Sequence, residues 1–84
     1  MAAALNVAEV FGARLREVRQ QRGLTQVQVA ERTGIAQNHI SEIERGTRVP
    51  SVVTMLRLAA ALECAPTDLV AVFDGVDLRT LLTK

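Results

Sequence analysis

The sequence predicts an all-α fold of five short helices, followed by a tail that forms either a short sixth helix or an extended segment. Apolar residues recur at intervals of three and four along the chain, and no segment alternates apolar and polar residues as a half-buried strand would. Glycines, prolines and helix-capping residues divide the chain into short segments. With 84 residues, the chain is expected to form one domain (residues 1–84) with a small core.

The first helix is expected over residues 7–22. Asn6 precedes it, and Glu9 gives the spacing of a capping box, in which two side chains satisfy free amides at the helix start. Gly23 ends the helix because glycine readily adopts the left-handed conformation found there. The apolar stripe of this helix is formed by Phe11, Leu15 and Val18.

The second and third helices are expected over residues 26–33 and 37–45, joined by only three residues. Thr25 and Gln28 repeat the capping-box spacing at the start of the second helix. Two helices joined by so short a turn cross steeply, so their closest approach tolerates only a small side chain, here Ala30. The glycines expected to end these two helices are Gly34 and Gly46.

The fourth helix is expected to begin after Ser51, its capping residue, and to run to about residue 62. Pro66 suits the first turn of a fifth helix, which extends to about residue 73. Residues 76–82 then form either the sixth helix or the extended tail. The apolar residues of the fourth helix expected to face inward include Val53, Leu56 and Ala60.

The composition argues against an enzyme, a metal site and a secreted or membrane protein. One histidine, one cysteine and no glycine-rich phosphate loop leave no residue set for a catalytic site. Cys64 is expected to be a small buried hydrophobe, with a redox-sensitive thiol as the alternative. The N-terminal segment has neither a basic region nor a long apolar run, so a cytoplasmic protein without metal or cofactor is expected.

The charge is unevenly distributed, although the formal net charge is only +1. Residues 12–48 carry seven arginines against four glutamates, whereas residues 49–84 carry three basic and four acidic residues. A locally positive segment is typical of proteins that bind nucleic acid. Taken alone, this asymmetry is a weak signal.

Residues 26–45, QVQVAERTGIAQNHISEIER, have the pattern of a helix-turn-helix. Four apolar residues are spaced to hold the helix pair on the core, namely Val29, Ile35, Ile40 and Ile43. The opposite face of the third helix carries polar side chains that can donate or accept hydrogen bonds at base edges. These are Gln37, Asn38, Ser41, Glu42 and Arg45. Without the surrounding sequence, such a face would be interpreted as merely solvated.

The chain resembles the XRE-type (lambda repressor and Cro-like) helix-turn-helix regulators over about residues 12–70. The resemblance rests on four blocks in the right order and spacing, LREVRQQRGLTQ, VAERTGI, ISEIERGTRVPS and MLRLAAAL. It implies a five-helix, lambda-repressor-like domain that places its third helix in the major groove of double-stranded DNA.

The resemblance, with the polar face of the third helix, assigns three kinds of role. The residues expected to contact bases are Gln37, Asn38, His39, Ser41 and Glu42, with Gln37 the best candidate for reading adenine or an adjacent base. The residues expected to contact phosphates are Gln26, Arg45, Thr47 and Arg48. Arg19 and Glu44 match a pair that joins the first helix to the end of the third.

Several of these roles have open alternatives. Glu42 either accepts a hydrogen bond from a cytosine amino group or orients a neighbouring arginine. His39 either contacts DNA or is simply exposed, and the Arg19–Glu44 pair is either incidental or a partly buried structural pair. Ala36 occupies the N-cap of the third helix, where relatives often have Ser or Thr. Either another group satisfies the first amides of this helix or they are left free for DNA.

The tail, residues 66–84, carries more apolar residues than a loose end requires. They either close the core of the monomer or form a two-fold dimer interface, which would match a palindromic DNA operator. The residues assigned to the homodimer interface are Leu69, Val72, Phe73, Leu78, Leu81 and Leu82. The apolar start of the chain, residues 1–5, is a further candidate for the same interface.

Three functions are compatible with this pattern. The first is a stand-alone dimeric repressor or activator, including a restriction–modification controller. The second is an antitoxin that binds both DNA and a toxin protein, and the third is a protein-interaction module that has lost DNA binding. A neighbouring toxin gene would favour the second, and a neighbouring methyltransferase or endonuclease gene would favour a controller. The glutamines and arginines at the expected DNA contacts argue against the third.

Overall fold

The computed structural model of the protein describes residues 5–82. Five α-helices and no strand occur in this range, which confirms the all-α prediction. The helices are α1 (Val7–Gln21), α2 (Gln26–Thr33), α3 (Gln37–Glu44), α4 (Val52–Ala61) and α5 (Pro66–Val70). No helix between residues 5 and 82 has the length and hydropathy needed to cross a membrane.

The C-terminal part differs from the prediction. The α-helical part of α5 ends at Val70, and Ala71–Phe73 continue as a 3₁₀ turn in which the amide of Asp74 donates to the carbonyl of Ala71 over 2.9 Å. The tail is neither a sixth α-helix nor an extended segment, because Leu78–Leu82 form a 3₁₀ helix. Such tight turns satisfy backbone groups over short stretches that do not propagate an α-helix.

Side-chain caps fix the starts of α1, α2 and α4. The Asn6 side chain accepts the amide of Glu9 over 3.0 Å at the start of α1. At α2 the capping box is complete, because Thr25 accepts from the Gln28 amide (3.1 Å) and donates its own amide to the Gln28 side chain (2.8 Å). Ser51 accepts the amide of Thr54 over 3.1 Å at α4. These local bonds explain why the sequence predicts these helix starts well.

The core lies where all five helices meet. The apolar stripe of α1 is buried, as are the four residues predicted to hold the helix pair on the core. The largest fully buried side chains are Leu15, Val29, Ile40, Ile43, Leu58, Leu62 and Leu69. Because every helix contributes to one cluster, the orientation of α3 depends on contacts made by the rest of the fold.

The prediction that Val53, Leu56 and Ala60 of α4 face the core is wrong. Val53 is 63% exposed, Leu56 is 46% exposed, and Ala60 is also exposed. The side chains of α4 that face the core are instead Leu58 and Ala59, followed by Ala61 and Leu62. Apolar residues lie on nearly every side of this helix, so hydrophobic periodicity cannot choose which side packs inward.

Cys64 lies just after α4 and is partly buried against the core. Burial raises the pKa of its thiol, and the nearby Asp68 carboxylate raises it further. Both effects disfavour the thiolate, the reactive form of cysteine. The structure therefore favours the small-hydrophobe interpretation of this residue over the redox-sensitive thiol.

Candidate nucleic-acid interface

Helices α2 and α3 form a helix-turn-helix whose turn is set by one glycine. Gly34 caps α2 in the left-handed conformation, with φ of 77° and its amide donating to Ala30. Ile35 follows and is buried, so the turn is anchored in the core. The chain then enters α3 after a single further residue, Ala36, which directs the outer face of α3 away from the core.

A close backbone approach holds α3 against α1. Gly12 lies in the middle of α1, and a Cβ atom built there would be 2.2 Å from the Ile43 carbonyl oxygen and 2.8 Å from that of Glu44. Only a glycine leaves room for this contact. The roles predicted from the sequence do not include this one, although a glycine inside an amphipathic helix, next to the buried Phe11, was the available signal.

Arg19 and Glu44 form a partly buried ion pair between α1 and the end of α3. Arg19 Nε donates to Glu44 Oε2 over 2.6 Å, and Nη2 donates to Oε1 over 3.0 Å. The two side chains are only 12% and 3% exposed. The hydrogen bond to Glu44 raises the pKa of Arg19. Arg19 Nη1 also donates to the Leu24 carbonyl, so the pair connects α1, the α1–α2 loop and α3.

Gln26 links this ion pair to the first residue of α3. Its Nε2 donates to Glu44 Oε1 over 3.1 Å, and its Oε1 accepts from Gln37 Nε2 over 3.1 Å. The residue predicted to contact a phosphate and the residue predicted to read a base are thus in direct contact. Helical spacing along the sequence does not predict this contact, because it joins residues of two different helices, α2 and α3.

The start of α3 has no side-chain cap. Ala36 is its N-cap, and its side chain provides no hydrogen-bonding group. Of the predicted base contacts, Gln37 and Asn38 are exposed and His39 is partly exposed beside this helix start. Helix N-termini attract anions through their free amides and the helix dipole. The uncapped start of α3 is therefore compatible with the second alternative, in which its amides are left for DNA.

The outer face and C-terminal end of α3 carry paired polar side chains. Arg45 donates to the Ser41 hydroxyl over 3.0 Å, and Arg48 Nε donates to Glu42 Oε2 over 2.9 Å. Thr47 donates its hydroxyl to the Glu42 carbonyl. Glu42 thus holds a neighbouring arginine, which is one of the two roles that the sequence left open. Ser41 and Glu42 are partly exposed, whereas Thr47 and both arginines are exposed.

Part of the positive charge of residues 12–48 serves the fold. Arg14 Nε donates to the Asp68 carbonyl over 2.7 Å, and Arg32 donates to the Ala61 carbonyl over 2.9 Å. Arg19 is held by Glu44, as described above. These bonds tie α1 to α5 and α2 to the end of α4. The charge asymmetry of the sequence therefore overstates the number of arginine side chains that are left without a role in the fold.

The residues predicted to form a dimer interface do not all lie on the surface. Leu69 is fully buried in the core, so its assignment to an interface is wrong. Phe73 is partly buried and packs against the same core. The remaining four are exposed, namely Val72 (39%), Leu78 (51%), Leu81 (54%) and Leu82 (83%). Of the apolar N-terminal candidates, residues 1–4 lie outside the described residues.

Known proteins with a helix-turn-helix resemble this chain in sequence and in structure. The family model HTH_3, described as helix-turn-helix, matches residues 15–69. The chain is 36% identical over 76 residues to the HTH-type transcriptional regulator y4dJ of Sinorhizobium fredii, and the alignment covers 90% of this chain and 99% of that protein. It is 39% identical over 51 residues (61% of this chain) to the immunity repressor protein of Bacillus phage phi105, of which it spans 35%.

A solved structure at 40% identity is the restriction-modification controller protein C.AhdI from Aeromonas hydrophila, with a TM-score of 0.72 over 74% of this chain and 94% of that one. The clp gene regulator ClgR from C. glutamicum matches with a TM-score of 0.79 at 28% identity, over 90% of this chain and 99% of that one. Together with the helix pair described above, these matches show that the chain belongs to the XRE-type, lambda-repressor-like family of helix-turn-helix DNA-binding transcriptional regulators.

Proposed function

We propose that the protein is a dimeric, sequence-specific transcriptional regulator of the stand-alone repressor or restriction–modification controller type. The observation that carries this proposal is the polar surface of α3, a helix that is tied to α1 by the Arg19–Glu44 ion pair and to α2 by Gln26. Exposed Gln37 and Asn38 lie at one end of this helix, and the basic residues Arg45 and Arg48 follow its other end. An α-helix with such a surface fits the major groove of B-DNA.

The controller type is supported by the likeness to C.AhdI, which extends over nearly the whole of that chain at 40% identity. The antitoxin alternative has no comparable support, since none of the relatives named above is described as an antitoxin. A measurement of binding to double-stranded DNA distinguishes the proposed regulator from a protein-interaction module that has lost DNA binding.

The experiment that tests the proposal measures binding to DNA from upstream of the protein's own gene and to random DNA at two salt concentrations. An additional selection from random duplexes finds the preferred site if it lies elsewhere. We expect the selected or upstream site to bind at least about a thousandfold more tightly than random DNA. Equal binding to every duplex would contradict sequence-specific regulation.

Dimer formation is proposed to use Val72, Leu78, Leu81 and Leu82, the exposed apolar residues of the C-terminal segment. A two-fold dimer would place two copies of α3 in half-sites one helical turn apart, about 34–36 Å. Sedimentation with and without operator DNA should show a dimer that a Leu81→Asp, Leu82→Asp variant weakens. Val53→Asp, a change at an exposed valine of α4, is the matched control and should leave the dimer intact. If Val53→Asp weakened the dimer and the Leu81→Asp, Leu82→Asp variant did not, the interface would lie on α4. If the protein bound DNA as a monomer, dimerisation would be contradicted.

Replacing Gln37 by alanine is expected to cost about 1–3 kcal/mol of binding free energy on the preferred site and to relax the preference at one base pair. The reason is that this exposed amide sits at the groove-facing start of α3 and has two hydrogen-bonding ends. Titration of duplexes that differ at each position in turn measures the effect. Equal losses on the preferred site and on random DNA would show that Gln37 does not read a base.

Replacing Arg48 by alanine is expected to weaken binding to all sequences alike and to lower the salt slope by about one unit. A phosphate contact releases counterions whatever the base sequence. Affinities measured over a range of salt concentrations give the slope. Arg79→Ala, at an exposed arginine of the C-terminal 3₁₀ helix, is the matched control and should leave the slope unchanged. An unchanged slope for Arg48→Ala would remove this residue from the phosphate contacts.

A further inference from the structure

A cleft of about 540 Å³ lies between the end of α2 and the end of α4. Its volume is in the range of small-molecule sites in proteins. Three charged side chains line it, namely Arg32 of α2, Arg57 of α4 and Glu63, which follows α4. Thr33, the last residue of α2, also lines it and directly precedes the turn glycine, Gly34. The cleft therefore adjoins the helix-turn-helix, although none of its residues is assigned to DNA or to the dimer.

Several charged groups of this cleft are left unpaired within residues 5–82. In that range, the Arg57 guanidinium and the Glu63 carboxylate make no hydrogen bond and no ion pair. Arg32 Nη1 donates to the Ala61 carbonyl over 2.9 Å, which holds the guanidinium at the cleft. Its Nε and Nη2 have no partner in the same part of the chain. The edge of a guanidinium can hold a carboxylate through two parallel hydrogen bonds.

Glu63 occupies a backbone position that favours glycine. Its φ is 54°, and it is the only residue other than glycine with a positive φ among the described residues. Its amide and the next one donate to carbonyls in the last turn of α4. The ends of α1 and α3 have the same pair of backbone bonds, but around Gly23 and Gly46. Left-handed backbone is strained at other residues, and such strain is concentrated at functional sites. The position of Glu63 therefore indicates a role for its unpaired carboxylate outside the fold.

We propose that this cleft binds a free dicarboxylic amino acid, of the class of L-glutamate and L-aspartate. The two carboxylates of such a ligand pair with Arg32 and Arg57, and its ammonium group pairs with Glu63. Its single net negative charge offsets the single net positive charge of the lining, which has two arginines and one glutamate. A ligand that is only anionic, such as a phosphate or an acidic peptide segment, offers no positive group to Glu63. The proposal does not depend on the proposed function, because it uses none of the residues assigned to DNA.

The test is a titration of the full chain with L-glutamate and with L-aspartate at constant ionic strength, followed by NMR of the backbone amides. Exposed ion pairs each contribute little, so we expect saturable shifts at the cleft with a dissociation constant of about 0.1–10 mM for at least one of the two. Glutarate lacks the ammonium group and 4-aminobutyrate lacks one carboxylate. Each should bind about three- to fivefold more weakly than L-glutamate. Potassium chloride is the control for salt.

Two variants assign the ligand groups to side chains. Glu63→Gln removes the negative charge at unchanged length, so the difference in affinity between L-glutamate and glutarate should disappear. Arg57→Ala should weaken the binding of L-glutamate by about three- to fivefold. Arg16→Ala and Glu31→Gln change exposed residues outside the cleft and are the matched controls, which should keep the original affinities. Circular dichroism melting checks that each variant is folded.

Four outcomes would overturn the proposal. The first is the absence of saturable shifts with both amino acids, and the second is a set of shifts that potassium chloride reproduces. The third is equal binding of glutarate and L-glutamate, which would make the cleft a site for acidic groups in general, such as those of an acidic peptide, without a role for Glu63. The fourth is an unchanged affinity in Arg57→Ala, which would place the ligand elsewhere. None of these measurements contains DNA, so their failure leaves the proposed function standing, and failure of DNA binding leaves the cleft as proposed.

Discussion

An Arg19→Met variant is expected to lose about 3–5 kcal/mol of unfolding free energy, because it leaves the Glu44 carboxylate buried without its cation. The carboxylate is 3% exposed and loses both charge-assisted hydrogen bonds at once, while the Leu24 carbonyl loses its bond to Nη1. A domain of this size has a total stability of only about 4–12 kcal/mol. Urea denaturation followed by circular dichroism should therefore show a greatly lowered midpoint.

The matched control for this change is Arg79→Met. Arg79 makes a similar two-point contact with Asp77, but both side chains are well exposed at 87% and 54%. Water solvates both charges after the pair is broken, so the denaturation midpoint should stay close to that of the unaltered protein. Equal shifts for the two variants would show that burial of the Arg19–Glu44 pair contributes nothing to stability.

A Gly12→Ala variant is expected to lose about 1–3 kcal/mol, although alanine normally stabilises a helix interior by up to about 1 kcal/mol relative to glycine. The clash outweighs the helix propensity here because the new Cβ would meet the Ile43 and Glu44 carbonyl oxygens. Backbone atoms cannot rotate away as a flexible side chain can, so α1 and α3 must separate. Thermal and urea denaturation measure the loss.

Gly75→Ala is the matched control for the glycine prediction. No atom lies within 4 Å of a Cβ built at Gly75, and its φ is not in the left-handed region. The change should be neutral or stabilise the protein slightly, because alanine has less freedom in the unfolded chain. If Gly12→Ala proved as stable as Gly75→Ala, the close approach of α1 and α3 would not constrain the fold.

Both changes act on the position of α3. Arg19 holds the last residue of this helix through Glu44, and Gly12 sets how closely its end approaches α1. A shift of α3 would also move Gln37 relative to Gln26. Variants that remain folded at the assay temperature should therefore bind the preferred site more weakly, because the surface of a displaced α3 no longer matches the major groove.

The sequence by itself determined the helix pair and most helix boundaries. Local signals act there: Thr25 caps α2 through Gln28, and Gly34 ends it with a positive φ. These interactions span three or four residues and need no tertiary context. The same holds for the polar face of α3, since a period of 3.6 residues places Gln37 and Ser41 on one side.

Only the tertiary structure decided which face of α4 is buried, that Leu69 belongs to the core, and that Glu44, Gln26 and Gln37 meet. An apolar helix such as α4 has more than one face that can pack, and the choice follows from the shape of its neighbours. The contacts of Gln26 with Gln37 and with Glu44 join residues 11 and 18 positions apart, on two helices. Contacts between residues so far apart depend on how the helices pack, which the spacing of residues along the chain does not predict.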